Sequence, residues 1–251
     1  MTIPGSGTVL IIGSGPNSIE CRDWPREGFD HVLAINNAWR VRPDWSHAIF
    51  PEDFPVERQP VAGPGQVVLT HEEYVPLQNA LGGFVYAGGT MAFTAGYWAL
   101  AALRPRIMAF IGCDMVYPAT GQTHFYGTGT ADPLRPDVTL QSLEAKSARL
   151  ALLAGRAGCA CLNLSRDDSR LVFARATPET LRDVAEGQPM PGEGDLAAVL
   201  AREAALGYFV PSGRYWEEAG RFDAAALARL DADWLAVHGR VFDAPRKARR
   251  A

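Results

Sequence analysis

Short, nearly continuous apolar runs alternate along this chain with longer stretches of helical spacing. Residues 8–12 and 31–35 each read as a buried strand, and 45–50 and 66–70 give two shorter candidates. Residues 106–112 are apolar enough for a central strand covered on both faces, and 159–164 form the last run of this kind. Helical spacing predicts a helix over 90–103, opened by the N-cap residue Thr90 after Gly88 and Gly89 and stopped before Pro105. A second helix is expected over 139–156, with Leu140, Leu143, Leu150 and Leu153 on one face and Gly155 and Gly158 near its stop. Each helix runs directly into a strand, as right-handed crossovers of one sheet do. The predicted fold class is therefore α/β: a Rossmann-like, mostly parallel sheet with helices on both faces.

Two regions depart from that alternation. Between Gly112 and the second helix lie more than twenty residues rich in Gly, Pro, Thr and Asp, and structureless segments of that length are usually functional. Beyond Phe173 the chain becomes Pro/Gly-rich over 177–194, then shows Ala-rich helical patterns at 195–206 and 223–238. The expected organisation is a nucleotide-binding domain over 1–176 and a helical C-terminal extension over 177–251, packed on the same core or serving dimerisation.

Composition narrows the partners. With 251 residues, 47% hydrophobic and 21% charged, the chain can bury a substantial core. Its formal net charge of -4 lacks the basic excess that draws a protein to nucleic acid. The basic run Arg246, Lys247, Arg249 and Arg250 reads as a solvated tail with no interleaved aromatics. Cys21, Cys113, Cys159 and Cys161 match no zinc pattern or disulfide framework and read as reduced thiols. No signal-peptide pattern opens the chain, and no window reaches the roughly 18 apolar residues of a membrane helix. The expectation is a cytoplasmic protein, with a homo-oligomer possible.

Candidate chemistry collects after the strands. The first strand runs into Gly13-Ser14-Gly15-Pro16-Asn17-Ser18, where glycines would let a phosphate approach the backbone and a following helix would offer free N–H groups. The alternative is a plain tight turn. A dinucleotide site would want a third glycine where Ser18 stands, and an acidic residue where the second strand ends in Asn36 and Asn37. Those amides suit a base, a ribose or a sugar, or one of them only ties down a turn. Asp114 follows the central strand, with Tyr117 just beyond. It could hold a ligand hydroxyl, bind a metal or form a turn. In the long loop, His124 and Tyr126 stand where a lid could close, and His124 has the polar, glycine-flanked setting a general base needs. His31, His47, His71 and His238 read as structural, and Ser169 and Arg170 could reach the ligand edge.

Taken in order, Gly13 to Ser18, Asn36-Asn37, Gly88-Gly89-Thr90, Gly112 to Tyr117, His124 to Gly127 and Leu162 to Ser165 resemble bacterial lipooligosaccharide sialyltransferases. They also resemble the related 6-hydroxymethylpterin diphosphokinase-like proteins, which include flagellin-modifying proteins. The resemblance covers about residues 8–173. It implies a nucleotide or nucleotide-sugar bound across Gly13 to Asn17, Asn36 and Asp114, with the reacting group under the loop that contains His124. The full candidate site is then Gly13, Ser14, Gly15, Asn17, Asn36, Asn37, Gly89, Thr90, Tyr117 and Tyr126 for the ligand, with Asp114 and His124 catalytic. Depending on where a gap is placed, the family's loop histidine falls at His124 or at Thr128. Two classes follow: a transferase passing a sugar or a diphosphoryl group to a hydroxyl acceptor, with the divalent-metal requirement open, or a nucleotide- or metabolite-binding protein without turnover.

Overall fold

The computed structural model describes residues 7–117, 121–128 and 137–242. The basic tail and most of the segment expected to form a lid lie outside the described residues. Seven strands form one all-parallel sheet: β1 (Thr8–Ile12), β2 (His31–Ile35), β3 (His47–Ile49), β4 (Val67–Leu69), β5 (Ile107–Ile111), β6 (Ala160–Asn163) and β7 (Ala174–Arg175). Their spatial order is β4-β3-β2-β1-β5-β6-β7. The chain steps outward from β1 to β4, returns beside β1 as β5, and continues outward to β7. The order therefore reverses between β1 and β5, which pair from Thr8↔Ile107 to Ile12↔Ile111.

Strand side chains alternate between two cores, as the period of two requires. Val9, Ile11, Leu33, Ile35, Met108 and Phe110 face one layer, and Leu10, Ile12, Val32, Ala34, Ala109 and Ile111 face the other. The first layer is built from α-helices. These are α1 (His71–Ala80), α2 (Phe84–Ala87), α3 (Met91–Ala102) and α4 (Leu143–Arg156), with α6 (Glu193–Leu206) and α7 (Ala224–Phe242) outside them. The second layer has α5 (Leu181–Glu186) and short 3-10 helices, among them Pro16–Asp23 and Asn36–Arg40. Helices thus cover both faces.

Helix α3 is apolar on every side because it is sandwiched, with Phe93 to Leu100 all buried. Its Gly96 is required there: a Cβ would lie 2.6 Å from Leu150 of α4 and 3.3 Å from Phe110 of β5. Helix α4 starts at Leu143, later than the sequence suggests. The Ser142 hydroxyl accepts from Ala145 N, while Asp137 caps a separate 3-10 turn over Val138–Leu140.

The C-terminal helices are joined to α4 by buried charge. Lys146 Nζ donates to Asp231 Oδ1 at 2.6 Å. Arg149 donates to both Glu203 oxygens at 2.7 and 2.8 Å, to Tyr97 Oη at 2.7 Å and to the Leu81 carbonyl at 2.8 Å. Trp234 Nε1 also donates to Glu203 Oε1. Removing one partner of such a pair leaves a buried uncompensated charge, which costs about 3–5 kcal/mol. Among the described residues, no helix is long and apolar enough to cross a membrane.

Candidate functional site

A cavity of about 930 Å³ opens along the carboxyl edge of the sheet. Its floor is the reversal point between β1 and β5, where open α/β sheets bind ligands. Ten of the twelve residues expected from sequence line it: Gly13, Ser14, Gly15, Asn36, Asn37, Gly89, Thr90, Tyr117, His124 and Tyr126. Asn17 and Asp114 do not. A second cavity of about 570 Å³ lies at the amino ends of β1, β5 and β6, away from all of these groups.

Two amides of the glycine turn are already engaged within the fold. Gly13 N–H donates to the Ile111 carbonyl at 2.8 Å and Gly15 N–H to the Gly112 carbonyl at 2.9 Å, so both amides are engaged by the end of β5. A Cβ on Gly13 would stand 2.2 Å from Gly112 O, and one on Gly15 2.8 Å from the same atom. These glycines are there because two backbones touch. The helix expected to follow as an anion site is the 3-10 segment Pro16–Asp23, with Pro16 at its start. What the turn contributes to the cavity is surface at Ser14, whose hydroxyl donates to the Ile35 carbonyl at 3.4 Å.

Asn17 and Asp114 are engaged with each other behind the turn. Asn17 Nδ2 lies 2.7 Å from Asp114 Oδ2, 2.8 Å from Ser165 Oγ and 2.9 Å from Asp167 Oδ2. Asn163 Nδ2 reaches Asp114 Oδ1 at 3.4 Å and Ser169 Oγ at 3.0 Å. This network ties the ends of β1, β5 and β6 together. Asp114, expected to be catalytic, is engaged in this network outside the cavity lining.

Free backbone donors come instead from α3. Thr90 caps it, its hydroxyl accepting from Phe93 N at 3.4 Å. The N–H groups of Met91 and Ala92, both on the cavity wall, precede the first intrahelical bond and have no acceptor within the helix. The helix dipole adds positive character at the same spot. Beside it, Gly89 N–H donates to Thr139 Oγ1 at 3.0 Å.

Asn36 and Asn37 both line the cavity, and the side-chain oxygen of each is buried without a hydrogen-bond partner. Asn37 is only 4% exposed. A buried polar group left unpaired costs about 1–3 kcal/mol, a penalty that a ligand donor would relieve. Asn36 has φ 53°, and Met115 across the cavity has φ 54°. Asparagine tolerates that left-handed conformation, whereas methionine there holds backbone strain of about 1–3 kcal/mol.

The loop is docked onto the turn. Phe125 N–H donates to the Ser14 carbonyl at 3.1 Å, and His124 pairs with Gly127 through N–H···O bonds of 3.0 and 3.1 Å. The His124 ring stacks on Tyr126 with centroids 4.9 Å apart, and its Nδ1 lies 2.9 Å from Thr123 Oγ1. Burial lowers the His124 pKa below the ordinary histidine value, so the ring is neutral at pH 7. Burial pushes Tyr117 up to about 12, with the nearby Cys113 and Asp114 adding to the shift, so its hydroxyl stays a donor. Of the two positions open to the loop histidine, His124 lines the cavity and Thr128 does not.

Sequence reading missed the far wall. Ser212, Gly213, Arg214, Tyr215 and Trp216 of the C-terminal extension line the cavity, as do Glu52, Asp53 and Arg58 after β3. Tyr215 Oη donates to Asp137 Oδ2 at 2.6 Å. It also fills the space at Gly89, where a Cβ would come within 1.8 Å of it. The available signal was the pair Gly88-Gly89 before Thr90, which leaves room for a side chain from elsewhere. No protein-family model, curated protein or solved structure matches the chain.

Proposed function

We propose that this chain binds a nucleotide in the cavity at the β1/β5 reversal and acts as a glycosyltransferase on a nucleotide-sugar donor. The observation that carries the reading is the set of unsatisfied groups converging there: the Asn36 and Asn37 side-chain oxygens and the capped N-terminus of α3, beside a neutral histidine. The amide oxygens suit the exocyclic amine of a base or ribose hydroxyls. The Met91 and Ala92 N–H groups suit the donor phosphate.

In that frame the acceptor hydroxyl attacks the anomeric carbon of the donor sugar. The bond from that carbon to the phosphate oxygen breaks, and the nucleoside phosphate leaves with the electron pair. His124 takes the hydroxyl proton. It can do so through Nε2 in the tautomer whose Nδ1–H donates to Thr123 Oγ1, and a lowered pKa keeps the base form present at neutral pH. Tyr117 and Tyr126 frame the reacting end. Diphosphoryl transfer through a metal on Asp114 is less favoured, because Asn17 and Asn163 engage that carboxylate outside the cavity lining.

The test is release of nucleoside phosphate from a panel of nucleotide-sugar donors by the purified chain. Release that His124→Ala abolishes while nucleotide affinity persists supports the transferase. Tight nucleotide binding with no release from any donor supports the binding protein without turnover.

A further inference from the structure

The mouth of the cavity is lined by exposed groups that donor binding at the β1/β5 reversal does not use. Strands in a sheet lie about 4.8 Å apart. The segment after β3, two strands from β1, therefore stands about 10 Å along the edge from the glycine turn. It presents Asp53 and Arg58, neither of which makes an ion pair or a side-chain hydrogen bond among the described residues. Facing it, Trp216 is 57% exposed, unusual for a residue type that is mostly covered on average.

Trp216 also has a buried neighbour to lean on. Its ring packs edge-on against Tyr215, with centroids 5.5 Å apart at 78°, and Tyr215 is anchored on Asp137. Arg214 Nη2 lies 2.9 and 3.0 Å from the two Glu52 oxygens, joining the two sides of the mouth. An exposed indole face flanked by one unpaired carboxylate and one unpaired guanidinium matches a pyranose. The apolar C–H face of such a ring stacks on an aromatic plane, while its neighbouring hydroxyls pair with a two-oxygen acceptor and a forked donor. The four charged groups at the mouth, Glu52, Asp53, Arg58 and Arg214, sum to zero, which suits an uncharged sugar.

We infer that this mouth is a carbohydrate subsite built by Trp216, Asp53 and Arg58. Its role as the acceptor position rests on the transferase reading above. The experiment is saturation-transfer NMR of the full chain with methyl glycosides of glucose, galactose and N-acetylglucosamine, with and without a saturating nucleoside monophosphate. At least one glycoside binds. Trp216→Ala weakens it tenfold or more and Asp53→Asn weakens it, whereas Met190→Ala, on the separate cavity at the amino ends of the strands, leaves it unchanged. Because Trp216 is exposed, its replacement leaves the thermal midpoint close to that of the parent chain. Failure of all three glycosides to bind, or binding indifferent to Trp216→Ala, overturns the subsite even where nucleotides bind. Glycoside binding that depends on Trp216 in a chain that takes up no nucleotide keeps the carbohydrate site and overturns the transferase reading.

Discussion

Phe125 N–H donates to the carbonyl oxygen of Ser14 at 3.1 Å, joining the histidine loop to the glycine turn across more than a hundred residues of chain. One backbone bond thus sets the distance between His124, the proposed base, and the floor of the cavity. The same loop buries Phe125 against the second core layer, so the bond is sheltered on one side. Tyr126, next in sequence, is 43% exposed.

Hydrogen exchange should register this. The Phe125 amide is expected to exchange several-fold more slowly than the Tyr126 amide, and more slowly still once nucleotide is bound. Equal rates for the two amides would show that the loop is not held by Ser14 in solution.

The glycine turn gives a stability prediction. Sequence reasoning expects Gly15→Val to remove nucleotide binding and leave the fold intact, because it assigns the glycines to a phosphate. The contacts with Gly112 predict otherwise: Gly13→Ala and Gly15→Val each force β1 and β5 apart at their carboxyl ends. Each should lower the unfolding free energy by about 3 kcal/mol or more, with Gly13→Ala the worse because its Cβ would lie closer to Gly112 O. Urea unfolding checks this against Ser14→Ala, whose side chain carries only one long hydrogen bond.

How much was legible follows from where the information lies. Strands β1, β2, β5 and β6 were visible because burial on both faces makes them continuous apolar runs. Strand β7 is two residues, Ala174–Arg175, too short for any period. Helix α1 has a local start signal: Thr70 and Glu73 form a capping box, with Glu73 accepting from Thr70 N at 2.6 Å. Its Pro76 and weak apolar face obscured it. At the site, turns and strand ends announced Gly13, Asn36 and His124 by position. The pairing of Asn17 with Asp114 spans 97 residues, and the placing of Tyr215 on Gly89 needs the whole C-terminal extension folded back. Neither leaves a local pattern.

His47 supplies a pH dependence. Burial, with His31 beside it, lowers its pKa to about 4 from 6.5, while its ring packs against Trp98 at a tilt of 54°, with centroids 5.0 Å apart. A histidine depressed in the folded state takes up its proton in the unfolded chain first. Stability is therefore lost as pH falls from about 6.5 to about 4, by at most one proton's worth of slope, and levels off below that. His47→Phe keeps a ring against Trp98 and should flatten the slope in that window. Because His47 Nδ1 is buried without a partner, the variant should be at least as stable at pH 7. Chemical denaturation at pH 7, 5.5 and 4 measures both effects.

The base assignment has its own pH signature. Burial lowers the His124 pKa, so the rate of donor consumption should fall, as pH is lowered, with a midpoint below the ordinary histidine value. His124→Ala should lose about 10² to 10⁴ in rate with little change in nucleotide affinity, whereas Thr128→Ala should retain the parent rate. A rate that falls with a midpoint above 6.5, or greater damage in Thr128→Ala, assigns the base elsewhere.

The central claim is that the cavity at the β1/β5 reversal takes a nucleotide through Asn37 and the start of α3. Calorimetric titration of the purified chain with nucleoside mono- and diphosphates, cytidine among them, and with NAD tests it directly. One site per chain is expected for at least one nucleotide and none for NAD, since Ser18 and the strand-end asparagines replace the features a dinucleotide requires. Asn37→Ala, folded by circular dichroism, should weaken that nucleotide tenfold or more, the worth of one buried hydrogen bond to the ligand. Tight binding of NAD, no heat with any nucleotide, or an affinity untouched by Asn37→Ala would contradict it.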